Sequence, residues 1–309
     1  MTVPLAERRT RAHPQTPGAA LRRLLAATNG ALGVAGGGTP LEARCAAAAG
    51  FEAFYVSGYA TAAWRHGVPD IGLIAMAEVV ASVGAITAVT ELPVIVDADT
   101  GYGDAANVAV TVRRLEDAGA AAVQIEDQMW PKRCGHMDGK SVIDTDDMVR
   151  KVAAAVLARR DDDTVVIART DARGPLGIRE AIARSNRYLD AGADAIFVDA
   201  PETEPELRAI AAEVPAHLVA NMSESGKTPI LSLDALSSLG YKIVIYPTSA
   251  LRLAAGVITA MFADLRARGA TGDWVKQMMT LDDLNELLGL SGLQKLDQAA
   301  LSRAAGLSS

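Results

Sequence analysis

Residues 93–99 read Pro-Val-Ile-Val-Asp-Ala-Asp. Three β-branched residues in a row suit a strand buried on both faces, as in a parallel sheet, and this run ends in acids. The same pattern recurs along the chain. Strand-like apolar runs are predicted at 31–35, 51–57, 93–97, 120–126, 164–169, 194–199, 216–221 and 242–246. Between them, residues 108–118, 148–157 and 178–189 repeat apolar side chains at helical spacing. Three helix-like stretches end at a glycine, Gly119, Gly192 and Gly240, which suits a left-handed helix terminus. Eight strand–helix units in about 240 residues describe a (β/α)8 barrel of TIM type. A doubly wound open sheet is the structural alternative, but such folds usually have fewer units.

The polar residues support the barrel. Ser57, Asp97, Asp99, Glu126, Arg169, Asp199, Asn221 and Tyr246 all fall at the C-terminal ends of the predicted strands, where a barrel carries its site. Residues 1–16 are expected to form a flexible arm, with five arginines and one acid in the first 41 residues. Residues 17–271 form the barrel. Residues 272–309 form a helical tail, in which Leu281, Leu284, Leu287 and Leu288 recur at helical spacing for packing on the domain or a partner subunit. Gly36-Gly37-Gly38 lacks a phosphate-loop pattern and is expected to be a flexible turn.

Composition narrows the function. The 309 residues are 50% apolar with only 4% aromatics, enough for a core of small side chains. A net charge of −7 argues against nucleic acid as a partner. Two cysteines make no disulfide framework and fit a reducing cytoplasm, and no apolar run is long enough for a membrane span.

Chemistry concentrates in three stretches. In Lys132-Arg133-Cys134-Gly135-His136, nearby cations favour thiolate over thiol at Cys134, and the glycine lets the backbone pass close to a ligand. In Asp97-Ala98-Asp99, strand alternation puts both carboxylates on one face, a costly arrangement unless a cation or proton lies between them. Oxygen ligands suit Mg²⁺ or Mn²⁺, with Asp70 and Glu126 able to complete the shell. Arg169 offers a planar cation for a carboxylate, and residues 221–229 are rich in amide and hydroxyl groups. A small carboxylate substrate is therefore expected. His13, His66 and His217 have no metal-ligand spacing.

These motifs resemble the isocitrate lyase / phosphoenolpyruvate mutase superfamily, in its short-chain carbon–carbon lyase branch. The resemblance runs from about residue 17 to about residue 290. Its residues are Ser57-Gly58, Gly67 to Asp70, Asp97 to Gly103, Ile125 to Gln128, Lys132 to His136, Arg169 to Asp171 and Asn221 to Pro229. The Cys-Gly-His motif is similar to that of the carbon–carbon lyases. The resemblance implies a barrel whose last helix swaps between subunits of a homotetramer. It implies Mg²⁺ held directly by Asp99, with Asp97, Asp70 and Glu126 acting through water. Ser57, Gly58, Arg169, Asn221 and Ser223 would hold substrate oxygens, together with Tyr59 and Asp199 at positions that depart from the pattern. Asp199 stands where glutamate is common, Tyr59 where a small residue is usual, and Ser225 where phenylalanine is frequent.

The reaction expected is cleavage of a 2-hydroxy di- or tricarboxylate into a 2-oxo acid and a second carboxylic acid. Cys134 would protonate the carbanion, Tyr55 would accept the hydroxyl proton, and Lys132, His136 and Arg169 would assist. The loop at 129–140 is expected to close over the substrate. The departures favour a branched dicarboxylate of the 2,3-dimethylmalate kind over 2-methylisocitrate. The alternatives are a phosphonate-forming mutase or oxaloacetate hydrolase on the same barrel, and a non-catalytic barrel acting in assembly.

Overall fold

The computed structural model describes residues 16–135, 137, 139–224 and 226–307, and the structural statements below concern these. Eight parallel strands close into a barrel: β1 (Leu32–Gly37), β2 (Phe54–Val56), β3 (Val94–Asp97), β4 (Ala120–Glu126), β5 (Val165–Thr170), β6 (Ala195–Val198), β7 (His217–Asn221) and β8 (Tyr241–Tyr246). Each pairs with its sequence neighbour, and β8 closes on β1 through pairs such as Val34 with Ile245. All eight predicted strands are present, within a few residues of their expected ends. The helices that matter most for the site are α1 (Pro17–Ala27), α2 (Pro40–Ala48), α3 (Gly58–Thr61), α4 (Met76–Thr87), α5 (Ala105–Asp117), α6 (Thr145–Ala158), α7 (Arg173–Leu176), α8 (Ile178–Asp190), α9 (Glu204–Glu213), α10 (Leu233–Leu239) and α11 (Ser249–Arg268).

Two apolar layers follow from strand alternation. Val34, Tyr55, Ile95, Ile167, Phe197, Val219 and Ile245 point into the barrel, and Leu21 and Leu25 of α1 join them from below. Val56, Val96, Val123, Val166, Ile196 and Val244 point outward against the helices. Helix α1 closes the N-terminal end of the barrel. Thr16 caps it, and Arg22 binds Asp194 at 2.7 Å and the Asp163 carbonyl at 2.8 Å. The opposite end is left for chemistry.

Two expectations need correcting. Gly36 and Gly37 belong to β1 rather than to a turn. A Cβ on Gly36 would lie 2.6 Å from the Pro247 Cα, and one on Gly38 would lie 2.5 Å from the Thr61 nitrogen, so these glycines permit close packing. Strand β3 ends at Asp97, so pleat alternation does not place Asp99. Asp99 takes a left-handed φ of 48° instead, and its N–H donates to Asp97 Oδ1 at 3.1 Å. The acids meet through a turn. The arm expected at 1–16 lies outside the described residues except for Thr16.

Asp127 ties the C-terminal ends of β4 and β5 to α8. Its carboxylate accepts from the Thr170 hydroxyl at 2.7 Å, the Asp171 N–H at 2.8 Å, the Tyr188 hydroxyl at 2.8 Å and Arg184 Nη1 at 3.3 Å. All four donors lose this acceptor in Asp127→Ala, although Arg184 keeps the Glu180 carboxylate at 3.0 Å and the Ile143 carbonyl at 2.8 Å. The expected cost is about 1–3 kcal/mol for a buried donor left unsatisfied, read as a lower urea midpoint with an unchanged slope. A midpoint equal to that of the parent would remove this network from the stability of the fold.

The tail folds as a short 3₁₀ turn followed by α12 (Leu281–Leu287) and α13 (Leu290–Leu307). Arg44 of α2 donates to the Leu287 carbonyl at 2.9 Å, which seats α12 on the barrel. Helix α11 leaves the barrel after one turn. Of its twenty residues only Leu251 is buried, and Leu253, Val257, Ile258 and Phe262 are exposed.

Candidate active site

A cavity of about 200 Å³ opens at the C-terminal ends of the strands. Its walls include Tyr55, Ser57, Tyr59, Asp70, Asp97, Cys134, Arg169, Asp199, Asn221 and Ser223, all expected from the sequence. A larger groove of about 1380 Å³ runs beside it, past Tyr102, Trp130 and the start of α5, but contains none of Asp97, Arg169 or Cys134. The chemistry belongs to the smaller cavity.

The acids gather around a cation. Lys132 is nearly fully buried, with its ammonium 2.5 Å from Asp70 Oδ1 and 2.7 Å from Asp99 Oδ1. Burial alone would lower its pKa, but Asp99 and Asp70 outweigh this and raise it, so the amine stays charged. Lys132 therefore faces the acids. Burial pushes the Asp99 carboxyl up to about 7 despite Lys132, and Asp97 and Asp70 push the same way. Glu126 is raised too, first by burial, with Arg169 opposing.

Asp99 Oδ2 and Glu126 Oε1 are buried without a hydrogen-bond donor. Gly58 lets the α3 backbone approach the pair, because a Cβ there would lie 3.2 Å from Asp99 Oδ1 and 3.3 Å from Asp97 Oδ2. Among the described residues, no three acids, histidines or cysteines form a ready ligand cage. Four convergent carboxylates, of which Asp99 and Glu126 carry unpaired oxygens, nonetheless fit a hard divalent cation that keeps part of its water shell.

A second ionic cluster closes the other wall. Arg169 binds Asp171 through Nε at 2.8 Å and Nη2 at 3.0 Å, Glu126 at 3.2 Å and Asp199 at 3.2 Å. Its guanidinium lies 5.1 Å from the centre of the Phe197 ring. Lys140, which the sequence reading passed over, adds its ammonium to Asp171 at 2.8 Å and Asp199 at 3.3 Å. Burial raises the Asp171 carboxyl, but Arg169 and Lys140 outweigh it and hold the group below the usual carboxylate range.

The remaining site residues divide by role. Ser57 caps α3 by accepting from the Ala60 N–H at 3.2 Å. Ser223 and Thr248 hydroxyls lie 3.4 Å apart. Tyr59 is 38% exposed and stands at the cavity mouth. Tyr55 donates to Gln124 Oε1 at 3.2 Å. Burial first, then Asp97, raises its pKa well above the usual phenol value, so the resting hydroxyl is neutral. His136 and Ser225 lie outside the described residues, as does His13. His66 pairs with Glu78 at 3.7 Å, away from the cavity.

Arg252 also lines the cavity, from the first turn of α11, and was not anticipated. Its guanidinium donates to the Glu224 carbonyl and lies 3.7 Å from the Glu224 carboxylate. No motif surrounds it. Only the turn of chain after β8 brings it to the mouth.

The model of the phosphoenolpyruvate phosphomutase family matches residues 39–266, most of the barrel. The chain belongs to this family. It is 48% identical to the probable 2-methylisocitrate lyase 1 of Corynebacterium glutamicum, over 84% of this chain and 85% of the relative. It superposes on the crystal structure of a 2,3-dimethylmalate lyase with a TM-score of 0.87 at 37% identity, covering 92% of this chain and 95% of the other. A phosphonopyruvate hydrolase in complex with oxalate and Mg²⁺ superposes with a TM-score of 0.83 at 32% identity, over 93% and 99%. The superfamily resemblance and the TIM-type barrel read from the sequence both stand.

Proposed function

We propose that this carbon–carbon lyase cleaves 2-methylisocitrate or a close 2-hydroxytricarboxylate into a 2-oxo acid and a second carboxylic acid. The observation that carries this reading is the lining of one cavity by Asp70 and Asp97 of the acid cluster, the Cys134 thiol and the cations Arg133, Arg169 and Arg252. The dicarboxylate preference expected from the sequence rested partly on the lack of a cation for a third carboxylate. Arg252 supplies one. The steric half of that expectation keeps its footing in Tyr59 at the mouth, which supports 2,3-dimethylmalate as the second reading.

Asp70, Asp97, Asp99 and Glu126 would hold Mg²⁺ or Mn²⁺. When bound, the ion supplies Lewis acidity toward the substrate's 2-oxygen and the adjoining carboxylate. The chain's own residues do the rest. Arg169 and Arg252 orient carboxylates, with Ser57, Asn221 and Ser223 as neutral partners. As the carbon–carbon bond breaks, the 2-hydroxyl proton passes to a base, for which Tyr55 and Asp97 line the cavity, and the bond's electron pair stays as a carbanion beside the departing carboxylate. Cys134 delivers its thiol proton to that carbon as general acid. The apolar faces of α11 and the tail support a homotetramer, and Cys45 and Cys134, which form no disulfide among the described residues, suit a reducing cytoplasm. Among the described residues, no helix is long and apolar enough to cross a membrane.

The test is kcat/KM for both compounds with Mg²⁺, with excess EDTA, and in Arg252→Met. Turnover is expected to vanish in EDTA and to return with Mg²⁺. Arg252→Met is expected to lower the value for 2-methylisocitrate at least roughly tenfold more than that for 2,3-dimethylmalate, since a charge-assisted hydrogen bond is at stake. Failure to cleave either compound with metal present would sink the reading. Full activity in EDTA would remove the metal from it.

A further inference from the structure

Lys140 is a buried lysine that the mechanism above does not use. Its side chain is 4% exposed, and its ammonium makes three contacts at once. It donates to the Gly135 carbonyl at 2.5 Å, to Asp171 Oδ1 at 2.8 Å and to Asp199 Oδ2 at 3.3 Å. Gly135 immediately follows Cys134. The loop therefore folds back on itself, with Lys140 gripping the carbonyl next to the thiol and joining it to the ends of β5 and β6.

The charges explain why a cation is needed there. Asp171, Asp199 and Glu126 all draw on the single guanidinium of Arg169. Three acids against one cation would leave buried charge uncompensated, and buried unpaired charge is strongly unfavourable. Lys140 supplies the second cation. The contact is also sterically tight, since a Cβ on Gly135 would fall 2.0 Å from Asp199 Oδ2 and 2.4 Å from Arg169 Nη2. The peptide of Gly135 therefore has one seat, and Lys140 is the side chain that joins that seat to both acids.

We propose that Lys140 is a positioning residue, whose ammonium bridges the Gly135 carbonyl to Asp171 and Asp199 and thereby sets the Cys134 thiol over the strand ends. The proposal rests on the general-acid role of Cys134 for its effect on turnover, but not for its effect on the loop.

The experiment uses the full chain in a Cys45→Ser background, which leaves Cys134 as the sole thiol. Alkylation of Cys134 by N-ethylmaleimide is followed by mass spectrometry in the parent, Lys140→Met and Lys140→Arg, alongside kcat and KM for 2-methylisocitrate with Mg²⁺. Lys140→Met is expected to speed alkylation at least roughly tenfold, because a charge-assisted hydrogen bond holding the loop is lost. It is expected to lower kcat by about 10², the scale of a small misplacement of a reacting group, with KM changed far less. Lys140→Arg keeps the charge but moves its donors, and falls between the two. It also serves where Lys140→Met does not fold. An alkylation rate in folded Lys140→Met or Lys140→Arg equal to that of the parent overturns the proposal, whatever turnover does. Alkylation needs no substrate, so a parent that cleaves neither compound would fail the lyase reading and still leave this one decided.

Discussion

Cys134→Ala is expected to lower kcat by about 10²–10⁴, the usual contribution of a positioned general acid, while leaving the fold and metal binding unchanged. The thiol stands at the wall of the cavity that holds Asp70, Asp97 and Arg169, and its side chain is only partly buried. Alanine removes the proton donor without adding bulk, so stability should move by less than the effect on rate. The informative comparison is with Cys134→Ser, which keeps a hydroxyl but not a comparably acidic proton. Both variants should bind 2-methylisocitrate in the presence of Mg²⁺, observed by calorimetry, and neither should turn it over at the parent rate. Parent-like kcat in Cys134→Ala would place the proton donor elsewhere and reopen the hydrolase and mutase alternatives.

Gly135→Ala is expected to be nearly as damaging, for a steric reason rather than a chemical one. The added methyl would meet a carboxylate oxygen and a guanidinium nitrogen at 2.0 and 2.4 Å. Neither neighbour can yield easily. Asp199 is fully buried, and Arg169 is held by Glu126 and Asp171 as well as by Asp199. The loop must lift instead, carrying Cys134 away from its place. A loss of about 10² in kcat follows if the thiol moves by only an ångström or so. The barrel should melt as before, because Gly135 contributes nothing to its apolar layers. Unchanged kcat, or a loss matched by collapse of the melting curve, would count against a seated loop.

Much of the fold was legible because its signals are local. Val94-Ile95-Val96 and Val165-Val166-Ile167 can only be hidden on both sides, and the glycines after their helices mark where the chain turns. The glycines of β1 misled for the opposite reason. Their meaning is a distant contact, with Pro247 and Thr61, that no neighbouring residue announces. At the site, the pairing of Asp97 with Asp99 was read correctly but through the wrong geometry, because a left-handed residue replaces the pleat. The acid partners of Lys132 were hidden because sequence distance is not distance between charges. Its ammonium spans to Asp70, sixty-two positions away. Lys140 and Arg252 were invisible for the same reason. A lysine or arginine beside ordinary neighbours shows its use only once burial or a shared cavity brings its partners to it.

The path of α11 has a consequence for how the protein must be handled. A helix that shows Leu253, Val257, Ile258 and Phe262 to water is poorly stabilised as part of a lone chain. If copies cover those faces for one another, dilution becomes a denaturant. The melting midpoint should then climb with protein concentration, as mass action requires of a fold completed by assembly. Assays at nanomolar enzyme would report on a different population from assays at micromolar enzyme. Midpoints that coincide over a hundredfold range of concentration would show that each chain holds α11 in place unaided.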